Sequence, residues 1–158
     1  SFLGLLLVQK LLAAALSREN VDEKSRKDFF FYADEFQNFT TDEFASILSE
    51  ARKYKLNLTL AHQYIGQLPE NIKGAVFGNV GTLMIYRCSA EDANFLETQF
   101  DPYIKAGDMV NQGIGHCYVK LLSKGSYPAP FSLNTFTIYR MSSSISLHLP
   151  EQMARLLW

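Results

Sequence analysis

The sequence predicts an α/β protein: a mainly parallel sheet flanked by helices, with an antiparallel hairpin near the C-terminus. Three observations carry this. Short apolar runs alternate with amphipathic segments through the middle of the chain, and strands alternating with helices build parallel sheets covered by helices. Each apolar run ends on polar residues. The last third abandons the alternation for two extended segments, "GIGHCYVKLL" and "FSLNTFTIYR", joined by the turn "SKGSYPAP", which reads as a hairpin at a sheet edge.

With 158 residues, 47% hydrophobic and 20% charged, the chain is long enough to bury a core. Its net charge of −1 lacks the basic excess of a general polyanion binder, so any such partner must be held locally. Cys88 and Cys117 form no C-x-x-C pair, which argues against zinc and against a redox motif and fits a reducing, cytoplasmic compartment.

The opening "SFLGLLLVQKLLAAALSREN" is interrupted by Gln9 and Lys10 before it reaches the roughly 18 to 20 apolar residues of a membrane span. It reads as a helix from Phe2 to Leu16, covered on several sides, and no membrane contact is expected from it. "SRENVDEKSRKD" reads as solvated loop. Residues 28 to 33 form a short, fully buried strand by length and flanking charge. Thr40, three residues before Glu43, has capping-box spacing, and Phe44, Ile47, Leu48 and Ala51 repeat at helical intervals behind it. "LNLTLAH" alternates as a second strand and ends at Gln63. Pro69 suits the first turn of a helix running to about Phe77, with Gly78 as its stop. "VGTLMIYR" is a third strand, and "SAEDANFLETQF" a helix opened by Ser89 with acids in its first turn. "MSSSISLHLP" reads as a linker to a short terminal helix.

In an open parallel sheet, ligands gather beyond the carboxyl ends of the strands. Asp34 and Glu35 follow the first strand, Gln63 the second and Arg87 the third. A strand ending on Asp-Glu has the form of a Walker B element, in which the Asp orders magnesium through water and the Glu polarises the attacking water. A solvated strand end or a helix cap gives the same pattern. His62 reads as a polar neighbour of this edge, and Phe36 and Phe39 as core.

Taken together, "FFFYADEFQNF", "FASILSEARKYKLNLTLAHQYIGQL", "IKGAVFGNVGTLMIYR" and "DANFLETQFDP" resemble the HerA and FtsK-like branch of the RecA-like P-loop ATPases. The likeness is strongest to the coupling ATPases of type IV secretion, the TraG-like kind of conjugative DNA transfer. It covers roughly residues 28 to 131. The resemblance implies that residues 1–140 are the C-terminal part of a RecA-like ATPase domain, with 141–158 the linker and terminal helix. It implies ATP and Mg2+ as ligands, Asp34 on the metal through water, Glu35 as base and Gln63 as the residue sensing the γ-phosphate. Arg52 matches an arginine finger that reaches a neighbouring subunit's nucleotide. At about 100° per residue it lies beside the Phe44, Leu48, Ala51 stripe, although a surface charge paired with a nearby acid fits the same position. Arg87 matches a basic residue of the family after this strand, or an edge residue in a salt bridge.

The implied partners are DNA, further copies of the chain in a hexamer, and secretion-channel or relaxosome proteins at the cytoplasmic face of the inner membrane. Translocation in DNA-end processing or chromosome segregation is the alternative within the family. The chain departs from the family pattern in one respect: it contains no G-x-x-x-x-G-K-[ST] loop. It begins without Met, as expected of a piece whose upstream part holds that loop, and by itself it is expected not to hydrolyse ATP. A non-catalytic docking module of the same fold is the reading from a different class.

Overall fold

The computed structural model describes residues 2–135 and 156–157. By its internal packing the chain forms two units, one running to Val80 and the other beginning at Gly81.

The first unit opens with α1, Phe2–Leu16. Its dense apolar sequence would suit burial all round, yet one stripe, Val8, Leu12 and Ala15, is buried, and Leu7 is 57% exposed. The i, i+4, i+7 spacing of that stripe is a single helical face, and it is this face that other residues of the unit cover. The helix also packs on the short 3-10 turn Phe36–Phe39. Gly4 permits this approach, because a methyl group there would overlap the Phe39 ring.

The segment after α1 is more structured than a plain loop. Two 3-10 turns, Ser17–Asn20 and Glu23–Ser25, present arginines to backbone carbonyls. Arg18 Nη1 donates to the carbonyls of Lys27 (3.0 Å) and Tyr54 (2.9 Å), and Arg26 Nη1 donates to that of Lys53 (2.6 Å). The Lys53 and Tyr54 carbonyls follow the end of the next helix, where guanidinium donors satisfy acceptors that have no helical partner.

Strand β1, Phe29–Ala33, pairs in parallel with β2, Leu56–Leu60, in the register Phe29↔Leu56 through Ala33↔Leu60. The expected full burial of β1 is not found: Phe30 is 62% and Tyr32 70% exposed. Among the described residues β1 has a strand neighbour on one side alone, and its outer face is uncovered. Aromatic density and flanking charge do not distinguish such a strand from a covered one.

Between them, α2 spans Asp42–Glu50. Its N-cap is Thr41, one residue after the expected Thr40: the Thr41 hydroxyl accepts from Phe44 N at 3.2 Å, while Thr40 Oγ1 turns back to the Gln37 carbonyl. Phe44 and Ile47 are buried. The helix gives way to a turn in which Lys55 takes a left-handed φ of 56° and Leu56 N donates to the Ala51 carbonyl at 2.9 Å. Helix α3, Glu70–Asn79, starts after Pro69 at its N-cap, runs through Gly78 rather than stopping there, and packs on α2 through Ile72 and Val76 on its buried side.

In the second unit, β3 (Thr82–Ile85) does not extend a parallel sheet. It pairs antiparallel with β4, His116–Leu121, which pairs antiparallel with β5, Phe131–Asn134. The parallel pairing among the described residues is therefore confined to β1 and β2, and the C-terminal hairpin is as expected. Antiparallel register brings Met84 opposite Val119 and lets Tyr86, Cys117 and Val119 share one small core. Helix α4, Ala90–Phe100, is capped by Ser89, whose hydroxyl accepts from Asp92 N at 3.1 Å. A short α5, Ala106–Val110, follows. Leu156–Leu157 form β6, antiparallel to β3; the rest of the expected linker and terminal helix lies outside the described residues.

Candidate functional site

Parallel pairing delivers the C-terminal ends of β1 and β2 side by side. Beyond the last register pair, Ala61 N donates to the Ala33 carbonyl at 2.8 Å and Phe36 N to the Ala61 carbonyl at 3.3 Å. Asp34 and Glu35 leave one strand where His62 and Gln63 leave the other.

Glu35 makes the turn. Its φ of 48° lies in the left-handed region, which costs a residue with a side chain on the order of 1–3 kcal/mol and persists where neighbours enforce it. Here Asp34 Oδ1 accepts from Glu35 N at 2.9 Å, and the Glu35 carbonyl accepts from Asn38 N and Asn38 Nδ2, both at 3.1 Å. Phe36, fully buried, stacks on Phe44 with 6.1 Å between centroids and meets the His62 ring edge-on at 5.3 Å. Burying Phe36 forces the reversal, and the reversal aims the Glu35 carboxylate at the end of β2.

That carboxylate is gripped on both oxygens. Gln63 Nε2 donates to Oε1, and Gln37 Nε2 donates to Oε2 at 2.7 Å. Gln37 Oε1 in turn lies 2.7 Å from His62 Nδ1. An ionised carboxylate has about four acceptor positions, so Glu35 retains capacity to accept from a water molecule.

The structure thus brings Asp34, Glu35 and Gln63 together, in one unit. Gln63 stands three residues past the end of β2 at Leu60 rather than on the strand. Arg52 lies in the turn just after α2 ends at Glu50, not within the helix; it is exposed and enters none of the ion pairs among the described residues. Arg87 belongs to the second unit, exposed just after β3, and likewise forms none of those ion pairs. Gln37, on the turn beyond Glu35, is the site residue that sequence reading missed; two residues from an acid on an irregular turn, it has no periodicity to mark it.

Asp34 is exposed, and one of its oxygens is engaged by the Glu35 N–H. A lone solvated carboxylate of this kind suits Mg2+, which keeps most of its water and takes one or two protein oxygens. Among the described residues no group of three or more His, Cys, Asp or Glu is arranged to hold a metal, and no helix is long and apolar enough to cross a membrane.

No protein-family model and no curated relative matches the sequence. The fold does have a solved counterpart. The chain superposes on the structure described as the bacterial conjugative coupling protein TrwBdeltaN70, in an unbound form, with a TM-score of 0.61 at 14% sequence identity. The fold resembles that of a conjugative coupling protein. The match covers 94% of this chain but 40% of that one, so the chain spans well under half of its structural counterpart. It agrees with an α/β, RecA-like class.

Proposed function

We propose that this chain supplies the water-activating side of the nucleotide site in an ATP-driven, DNA-translocating motor of type IV secretion or conjugation. The observation that carries this is the meeting of Glu35 with Gln63 at the carboxyl ends of two parallel strands, beside Asp34. Residues 1–140 are read as part of one ATPase domain, and the phosphate-cradling loop as the contribution of another part of the intact protein.

When bound, magnesium-ATP would supply the phosphoryl group and the charge that the site works on. Asp34 would hold the metal through water. Glu35 accepts the proton of a water molecule at its carboxylate, which suits general-base work in a positioned side chain. Gln63, whose amide already touches that carboxylate, orients the same water and reads the γ-phosphate position. Arg52, exposed and in none of the ion pairs among the described residues, reaches a neighbouring copy's site in a hexamer, where a rigid planar guanidinium spreads over phosphate oxygens better than an ammonium. Arg87 is read as a further contact to nucleotide. DNA is the moved polymer, and secretion-channel or relaxosome proteins are the docking partners on the cytoplasmic side.

The experiment is Glu35→Gln in the intact protein. Mg-ATP is expected to raise the melting temperature of wild type and variant alike, because a ligand that binds the native state stabilises it, while the variant loses turnover. A melting temperature indifferent to Mg-ATP in both proteins would instead favour a docking module that binds no nucleotide.

A further inference from the structure

We propose that Gln37 and His62 form a positioning pair that fixes the Glu35 carboxylate from behind, a role that rests on the reading of Glu35 given above. The inference comes from the directions of the hydrogen bonds. A carboxylate accepts and does not donate, so the side-chain amide of Gln37, 2.7 Å from Glu35 Oε2, must face it with Nε2. Its carbonyl Oε1 then faces His62, and the 2.7 Å contact to Nδ1 requires the imidazole to carry its proton there. The polarity of one carboxylate thus dictates the tautomer of a histidine it does not touch.

The far end of the chain is fixed. His62 is 1% exposed and sits edge-on to the fully buried Phe36, which stacks on Phe44 of α2. A buried ring set edge-on against a core aromatic has little freedom, so Gln37 is held by a rigid donor and Glu35 by a rigid amide. Consecutive residues after β2 reach the same carboxylate by two routes: Gln63 directly on Oε1, and His62 through Gln37 on Oε2. Two-point fixing sets the direction of the oxygen that meets water, and misplacement by about 1 Å can cost a hundredfold in rate.

The test has two parts, both on the intact protein. The first is the nitrogen spectrum of His62 in uniformly 15N-labelled protein. The Nδ1–H form is expected in wild type, with the lock lost in Glu35→Gln, where an amide at position 35 no longer fixes the direction of Gln37. An Nε2–H form in wild type, or a tautomer unmoved by Glu35→Gln, overturns the proposal. The second is turnover. Gln37→Met and His62→Phe keep approximate shape but remove the bonds, and kcat is expected to fall by about ten- to a hundredfold with KM within about twofold. His62→Asn, whose amide places a donor near the lost Nδ1, is expected to recover most of that loss. Unchanged kcat in folded Gln37→Met overturns the positioning role, while turnover unchanged in Glu35→Gln sinks the assignment of Glu35 itself and leaves the spectrum to decide whether the pair holds that side chain.

Discussion

Gln63 donates its side-chain amide to a carboxylate oxygen of Glu35, a residue 28 positions earlier in the chain. The contact exists because β1 and β2 run parallel in a register that ends both strands at the same level. Removing it with Gln63→Ala frees one oxygen of Glu35 and deletes the amide that would orient water. In the intact protein, turnover is expected to drop by about a hundredfold to ten-thousandfold, the usual range for a group serving proton transfer, with nucleotide binding retained. Steady-state ATPase and a nucleotide-binding titration on the same sample separate the two quantities.

Arg52→Ala is expected to lower turnover by about a thousandfold or more, the range seen when a finger supplied in trans is lost, and Arg52→Lys is expected not to restore it. Because the residue is exposed and placed beyond the end of α2, its loss should leave the melting temperature unchanged. Mixing inactive Arg52→Ala with inactive Glu35→Gln subunits is the decisive measurement. If the chain assembles as the proposed ring, mixed rings would contain interfaces with both groups intact, so some activity should return; complete silence in the mixture argues that Arg52 does not act on a neighbour.

Gly4→Ala tests the seat of the site. Alanine is favoured over glycine inside a helix by about 1 kcal/mol, yet a methyl group there meets the Phe39 ring. The steric term is expected to win, giving a lower denaturation midpoint and a displaced turn after Glu35. A gain in stability would mean that the ring moves aside freely.

Thr41→Ala removes the hydroxyl that accepts from Phe44 N and should destabilise the fold by about 1 kcal/mol, as is typical of a lost N-cap. Thr40→Ala serves as the control, since its hydroxyl bonds outside the helix, and chemical denaturation of the two variants should rank them in that order.

Cys88 offers a pH-dependent readout in the second unit. Burial, and then the charge of Asp92, push its thiol up to about 11. The neutral thiol is the favoured form, so at pH 8 only about a thousandth is thiolate, the reactive species. Alkylation should be slow at pH 8 and climb steeply as pH approaches 11, insofar as the fold survives. Asp92→Asn should speed it only in part, because burial is the larger cause.

Much of this was legible before any coordinates. Helix α4 announces itself through Ser89 and the acids behind it, and α2 through Phe44 and Ile47, because capping and amphipathic spacing are local. That Glu35 and Gln63 both lie beyond strand ends is legible from the apolar runs before them, while their contact is not. What the sequence hid is non-local. Whether Phe30 is covered depends on which strand lies beside it, not on its neighbours in the chain. That β3 would face β4 in the antiparallel sense depends on a hairpin more than thirty residues on. Gln37 sits on an irregular turn with no periodicity to mark it, and His62, a polar neighbour of the strand edge, reaches the Glu35 carboxylate only through Gln37.

The outward aromatics of β1 bear on how this protein must be handled. A strand that, among the described residues, has a neighbour on one side alone and carries Phe30 and Tyr32 into solvent is a template on which other molecules can stack edge to edge. Concentrated samples of the chain should therefore grow larger particles over hours at moderate salt, as light scattering would register. A single lysine in place of Phe30 should keep the solution clear without touching the carboxylate at the strand's far end.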